Sequence, residues 1–168
     1  MNKFTVALAG NPNCGKTSIF NELTKSHQHV GNWPGKTVEK KEGAFEHKGK
    51  QVTVVDLPGT YSLSAFSIEE IIARDFIINE NPDVVVAVLD STNLERNLYL
   101  AVQILELGAK LIVVLNMTDL AEANGIKIDM GKMSSALQAS IVKTIANRSL
   151  GITELKDAIL DCMDQEER

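Results

Sequence analysis

Apolar positions recur along this chain in two rhythms, and the changes between them mark its elements. Residues 4–9 form a short β-rich run that stops at Gly10. Over 16–24 the apolar residues Ile19, Phe20 and Leu23 fall at helical spacing. Residues 26–37, rich in Gly, Asn, His and Pro, read as a loop. Two strand-like runs, 38–46 and 51–55, flank His47-Lys48-Gly49-Lys50, a hairpin signal. Residues 57–66 read as a second loop. Ser67 then caps a helix over 67–78, with Glu70 completing a capping box. The runs 84–89 and 111–115 are continuously apolar, the pattern of strands buried on both faces. Between them a helix over 93–107 ends at Gly108. A short helix over 128–137, a strand over 141–145 and a helix over 151–163 complete the pattern.

Strands that alternate with helices need crossover connections and favour parallel pairing. The expectation is a three-layer α/β domain. Its sheet is mostly parallel and six-stranded, with one antiparallel strand near Gly49 and helices on both faces. The length of 168 residues fits one domain, expected over 1–163, with 164–168 as a tail or the start of a linker.

Composition narrows the class of function. The chain is 44% hydrophobic and 23% charged, an ordinary globular balance. A net charge of −5 argues against a nucleic-acid partner, which calls for a basic face. Lysines 36, 40, 41, 48 and 50 read as the solvated edge of a hairpin. Cys14 and Cys162 show no metal-type spacing, and neither do His27, His29 and His47. The pair fits a reducing compartment. No apolar run approaches the ~18 residues of a membrane span, and Met1-Asn2-Lys3-Phe4 does not resemble a signal peptide.

The chemistry is concentrated in three places. Gly10-Asn11-Pro12-Asn13-Cys14-Gly15-Lys16-Thr17 fits the G-x-x-x-x-G-K-[ST] phosphate loop, between an expected strand and an expected helix. Its successive N–H groups, with Ser18 on the opening helix, would cradle phosphate oxygens. Lys16 supplies a point charge to the terminal phosphates, and the Thr17 hydroxyl a ligand for Mg²⁺. The second place is Asp56-Leu57-Pro58-Gly59, at the end of an apolar strand. Asp56 there is placed to hold Mg²⁺ through water, and the Gly59 amide to sense a γ-phosphate. Thr37, in the long loop before, reaches Mg²⁺ and the γ-phosphate when that loop closes.

The third place selects the base. Asn116-Met117-Thr118-Asp119 follows a buried strand. A carboxylate accepts two hydrogen bonds at once, which matches the adjacent ring N–H and amine of guanine but not adenine. Asp119 therefore points to GTP and GDP as ligands.

The runs GNPNCGKTSIFN, NWPGKTVE, DLPGTYSLS, EEIIARD and NMTD resemble the Ras-like, translation-factor class of GTPases. Within that class the chain is similar to the N-terminal G domains of the FeoB family of prokaryotic ferrous-iron transport proteins, from residue 4 to about 160. The resemblance implies a P-loop GTPase fold and slow, Mg²⁺-dependent hydrolysis of GTP. It also implies a regulatory role at the cytosolic face of the cell membrane. In the family a helical domain and a polytopic membrane region follow, so the chain reads as a piece of a longer protein. Self-association is a further implied option.

Two departures from the class pattern matter. The last base-contacting motif is represented by Thr144-Ile145-Ala146. Ala146 can offer its N–H, but Ile145 has no hydroxyl to steady the loop, so weaker GDP retention is expected. Thr60 replaces the glutamine that orients water in Ras-type enzymes, so a different polarising charge is required. Some relatives use K⁺, held by a phosphate-loop asparagine and backbone carbonyls. Asn13 matches that asparagine, which makes it a candidate K⁺ ligand, with carbonyls from Gly31-Asn32-Trp33. Glu69 and Glu70 read as first-turn partners of the helix dipole.

Three functions remain open from the sequence. One is a slow GTPase that regulates ferrous-iron uptake. Another is a nucleotide-dependent binding switch that hydrolysis resets. The third is a ribosome- or tRNA-associated GTPase, which the acidic charge disfavours.

Overall fold

A central strand with neighbours added on both sides organises the molecule. The computed structural model describes residues 3–166. Its strands are β1 (Phe4–Gly10), β2 (Gln28–Asn32), β3 (Glu39–His47), β4 (Lys50–Asp56), β5 (Val84–Asp90), β6 (Leu111–Asn116) and β7 (Ser140–Lys143). They lie in the order β2-β3-β4-β1-β5-β6-β7. Only β3 runs against its neighbours, pairing antiparallel with β2 and β4. The other pairings are parallel.

The expected six strands are therefore seven. The added strand, β2, lies inside the stretch expected to be a loop. All five of its residues are exposed, so no alternation of burial marks it in the sequence. Its strand character comes from pairing with β3, from Gln28 opposite Gly43 to Asn32 opposite Glu39. The hairpin signal at Gly49 is met: Lys48 and Gly49 take φ +50° and +79°, the left-handed pair of a two-residue turn.

The helices are α1 (Lys16–Thr24), α2 (Ile68–Asp75), α3 (Leu94–Glu106), α4 (Thr118–Ala123), α5 (Met130–Leu137) and α6 (Ile152–Glu166). The helix expected over 67–78 changes its winding: α2 ends at Asp75 and a π turn continues over Phe76–Glu80. α4 was not expected as an element. α6 runs on to Glu166, and Lys50 pairs with Asp164. Residues 164–166 of the expected tail thus continue the helix, whereas 167–168, like Met1 and Asn2, lie outside the described residues.

The core splits into two layers by strand parity. Val6 and Leu8 of β1, with Val84, Val86 and Val88 of β5, face Ile19, Phe20 and Leu23 of α1 and Leu155 and Ile159 of α6. Ala7 and Ala9, with Val85, Ala87 and Leu89, face Ile72 and Ile77 and, on α3, Leu100 and Ile104. Burial on both faces explains why β5 and β6 read as unbroken apolar runs. The chain departs to one side after β1 and to the other after β4. The carboxyl end of β1 is thus the point where strand order reverses, and a crevice opens there. No helix among the described residues is long and apolar enough to cross a membrane.

Candidate functional site

The phosphate loop leaves β1 at that crevice and enters α1. Asn13 and Gly15 take φ +66° and +89°, which turns successive amides toward one centre. Side-chain-free positions are required twice. A Cβ on Gly10 would lie 2.7 Å from Cys14 Sγ and 2.9 Å from the Val88 carbonyl; one on Gly15 would lie 2.1 Å from Asn116 Nδ2. The Cys14 N–H donates to the Asn11 carbonyl at 3.3 Å. Burial pushes the Cys14 thiol up to about 11, so it stays protonated and acts as packing.

A cleft of about 580 Å³ is lined by Asn11, Pro12, Asn13, Gly15, Lys16, Thr17, Gly59 and Met117. The second loop closes its wall. Leu57 N–H donates to the Leu8 carbonyl at 3.0 Å, and Thr60 N–H to the Gly10 carbonyl at 3.0 Å. These bonds bring Gly59 against Pro12. Asp56, at the end of β4, meets the Lys16 ammonium directly, and both side chains are nearly buried. Thr60 is buried, so the residue in the glutamine position is part of the wall.

A second cavity of about 250 Å³ adjoins the first and shares Gly15 and Met117 with it. Its lining includes Ser18, Asn116, Asp119, Ile145 and Ala146. Asn116 organises this corner. Its Nδ2 donates to the Cys14 carbonyl at 3.1 Å. Its Oδ1 accepts from Thr144 Oγ1 at 2.9 Å and from Ala146 N–H at 3.1 Å. Thr118 Oγ1 in turn donates to the Thr144 carbonyl at 3.2 Å. The hydroxyl that Ile145 lacks is thus supplied by Thr144, one residue earlier. A backbone bridge between Ile145 and Leu150 also closes the loop.

The fold gathers nearly all the expected residues around the two cavities. Gly10, Cys14, Asp56 and Thr144 stand behind the linings, each in contact with a residue of the loop or the cavities, whereas Thr37 is exposed and lines neither cavity. Leu120 and Asn147 line the base cavity although the sequence did not mark them. Leu120 directly follows Asp119 and was accessible to that argument; Asn147 carries no motif. Trp33, in the stretch expected to be a loop, is buried against Phe76. Glu70 does more than serve the helix dipole. Its Oε2 accepts from Ser62 Oγ at 2.9 Å and from Ser64 N–H at 3.1 Å, and its N–H donates to Ser67 Oγ at 3.1 Å. It straps the second loop to α2.

The donor types fit Mg²⁺: the Thr17 hydroxyl, in the first turn of α1, lines the cleft next to Lys16, and the hard-oxygen carboxylate of Asp56 is in contact with that lysine. Asn13 is exposed at the same cleft, with a side-chain carbonyl of the kind K⁺ accepts.

Comparison with known proteins agrees with this geometry. Residues 4–159 match the family model described as ferrous iron transport protein B. The chain is 50% identical over 163 residues to the Fe(2+) transporter FeoB of Escherichia coli K12, and equally to that of Salmonella typhimurium LT2. Each match covers 95% of this chain and 21% of the relative, so the chain spans about a fifth of those proteins' length. Among solved structures, the FeoB G-domain from Methanococcus jannaschii superposes with a TM-score of 0.86 at 49% identity, covering 98% of this chain and 99% of that one. The cytosolic domain of Thermotoga maritima FeoB in its GMPPNP form gives 0.91 at 47% identity, covering 94% and 63%. On the match over residues 4–159 and the near-complete superposition on a FeoB G-domain, the chain belongs to the ferrous iron transport protein B family and corresponds to its G domain.

Proposed function

We propose that this chain binds GTP and GDP across the two joined cavities and hydrolyses GTP slowly with Mg²⁺. In the longer protein it would regulate ferrous-iron uptake from the cytosolic face of the membrane, where a polytopic region outside this chain carries the iron. The observation that carries the reading is the Asn116 side chain, which ties the base cavity to the phosphate loop at Cys14.

The residues divide the work as follows. Backbone N–H groups of 10–18, Pro12 apart, and the Lys16 ammonium would hold the phosphates, and Asp119 would accept from the guanine N–H groups. Met117 and the 144–146 loop flank the base. Thr17, Asp56 and, once its loop closes, Thr37 would hold Mg²⁺, which supplies neutralising charge on the phosphates. Asn13 is a candidate ligand for K⁺, which would supply the charge that an arginine supplies elsewhere. Water adds to the γ-phosphorus as the bond to the β,γ-bridging oxygen breaks, giving GDP, phosphate and a proton. Gly59, which lines the cleft, would sense the γ-phosphate through its N–H. The burial of Thr60 favours a second reading for the unassisted domain, a binding switch whose turnover resets it at ~10⁻⁴–10⁻² per second.

GTP hydrolysis measured in K⁺ and in Na⁺, at equal ionic strength with Mg²⁺, tests the assignment. K⁺ acceleration that Asn13→Ala abolishes supports an enzyme carrying its own catalytic charge. Equal rates for both proteins in both salts remove Asn13 from catalysis and leave the switch. Tight RNA binding at low salt would instead favour a ribosome-associated GTPase.

A further inference from the structure

We propose that Trp33 is a positioning residue for the nucleotide reaction: its indole, seated against Phe76, keeps Thr37 outside the phosphate cleft, and leaves that seat when a γ-phosphate draws the loop in. This rests on the GTP reading above.

Trp33 stands between the edge strand β2 and the loop that carries Thr37. Its neighbours Asn32 and Pro34 are exposed, yet Trp33 is 6% exposed. Its ring meets Phe76 edge-on, with centroids 5.7 Å apart at 76°. Lys40 Nζ lies 4.8 Å from the ring centroid. Trp33 lines a cleft of about 470 Å³ together with Ile71, Ile72 and Asp75 of α2 and Phe76 of the π turn. One side chain thus joins the first loop to the helix that follows the second.

The backbone makes the anchor matter. Trp33 N–H donates to the Val38 carbonyl at 2.9 Å, and the Trp33 carbonyl accepts from Lys36 N–H at 2.9 Å. The loop is therefore a closed turn fixed at its first residue by the indole. With both bonds and the seat in place, the turn is held at its first residue, and Thr37 lies outside the cleft lining. The Trp33 carbonyl, a candidate cation ligand, is likewise engaged within the turn.

The chemistry of the seat suits reversal. Trp33 Nε1 is buried with no hydrogen-bond partner. Buried indoles ordinarily find one. The seat is held by apolar contact, edge-to-face geometry and the Lys40 charge. Leaving it breaks no hydrogen bond at Nε1 and restores a partner to that group.

Trp33 is the sole tryptophan of the chain, so its emission reports the seat without a label. Binding of GDP and of a non-hydrolysable GTP analogue, each with Mg²⁺, is first measured by equilibrium dialysis. With analogue bound, emission shifts to longer wavelength and acrylamide quenching rises relative to the GDP state. Unchanged emission and quenching with analogue demonstrably bound overturns the proposal. Absence of analogue binding removes the GTP reading, and this proposal with it. Phe76→Leu weakens the seat while leaving Trp33 as reporter. It raises the analogue-to-GDP affinity ratio by roughly two- to tenfold, the range of an aromatic edge contact. A loss of thermal stability with an unchanged ratio would mean that the contact is merely structural, and would overturn the proposal.

Discussion

The Asn116 carboxamide donates to the Cys14 carbonyl at 3.1 Å, across 102 residues of sequence. The residue proposed to read the base therefore also braces the loop proposed to hold the phosphates. Replacing Asn116 by Ala leaves the Cys14 carbonyl, the Thr144 hydroxyl and the Ala146 N–H without that partner. The expected loss is about 1–3 kcal/mol of stability, because unsatisfied buried groups keep their desolvation cost. Urea unfolding of the nucleotide-free protein checks it. A residue serving only guanine would leave that midpoint in place.

Thr144→Val tests the same corner more gently. It removes one of the two donors to Asn116 Oδ1 and leaves the Ala146 N–H. One net hydrogen bond is worth about 1 kcal/mol, so GDP release should accelerate roughly fivefold. Stopped-flow release of a fluorescent GDP measures it. A rate equal to that of the unaltered protein would show that the backbone bridge between Ile145 and Leu150 suffices.

Asp119 is partly exposed on the wall of the base cavity, in the first turn of α4. If Asp119 accepts from the guanine N–H groups as proposed, Asp119→Asn turns one of its two acceptor positions into a donor facing them. GDP affinity should fall on the order of 100-fold. Xanthine nucleotides, which present a carbonyl in place of the amine, should gain by comparison. Titration with GDP and XDP in parallel decides it.

Lys16 and Asp56 are in direct contact with nearly buried side chains. In the nucleotide-free protein each neutralises the other. Asp56→Asn leaves the Lys16 ammonium without its counter-charge, a change that costs on the order of 3 kcal/mol at buried pairs. Nucleotide phosphates bound as proposed would restore a partner for Lys16, so the loss should shrink when GDP is added. Thermal melts with and without GDP test this; equal losses in both conditions would contradict it.

The β3–β4 hairpin is clamped to α6 by charge. His47 Nε2 lies 2.7 Å and Lys48 Nζ 2.9 Å from Asp157 Oδ1. His47 first, then Lys48, holds the Asp157 carboxyl below its ordinary 3.8. A depressed carboxyl stabilises the fold above its unfolded value and loses that effect as pH falls through the folded one. Asp157 also holds the Lys48 amine above 10.5, a contribution present below that value and lost as pH rises through the folded one. Asp157→Asn should thus lower the urea midpoint at pH 7 and converge on the unaltered protein as pH falls below 3.8. A gap that persists in acid would place the effect in packing.

Several features of this protein were determined by the sequence alone, because each depends on residues that are neighbours along the chain. The phosphate loop needs Gly10, Gly15, Lys16 and Thr17 within one turn, and the capping box needs Ser67 and Glu70 three apart. Buried strands need an apolar run, and β5 and β6 have one. Contiguous chemistry of that kind survives without coordinates. Tertiary structure decided what depends on residues far apart or on surfaces without a pattern. Gln28–Asn32 becomes a strand only through pairing with β3, since an exposed edge strand has no buried face to impose alternation. Thr144 replaces the hydroxyl that Ile145 lacks because β6 and β7 are adjacent, which brings it to Asn116. Trp33 looks like any loop aromatic until the fold sets Phe76 beside it. A side chain's partner across the sheet is a property of packing, and local propensity holds no record of it.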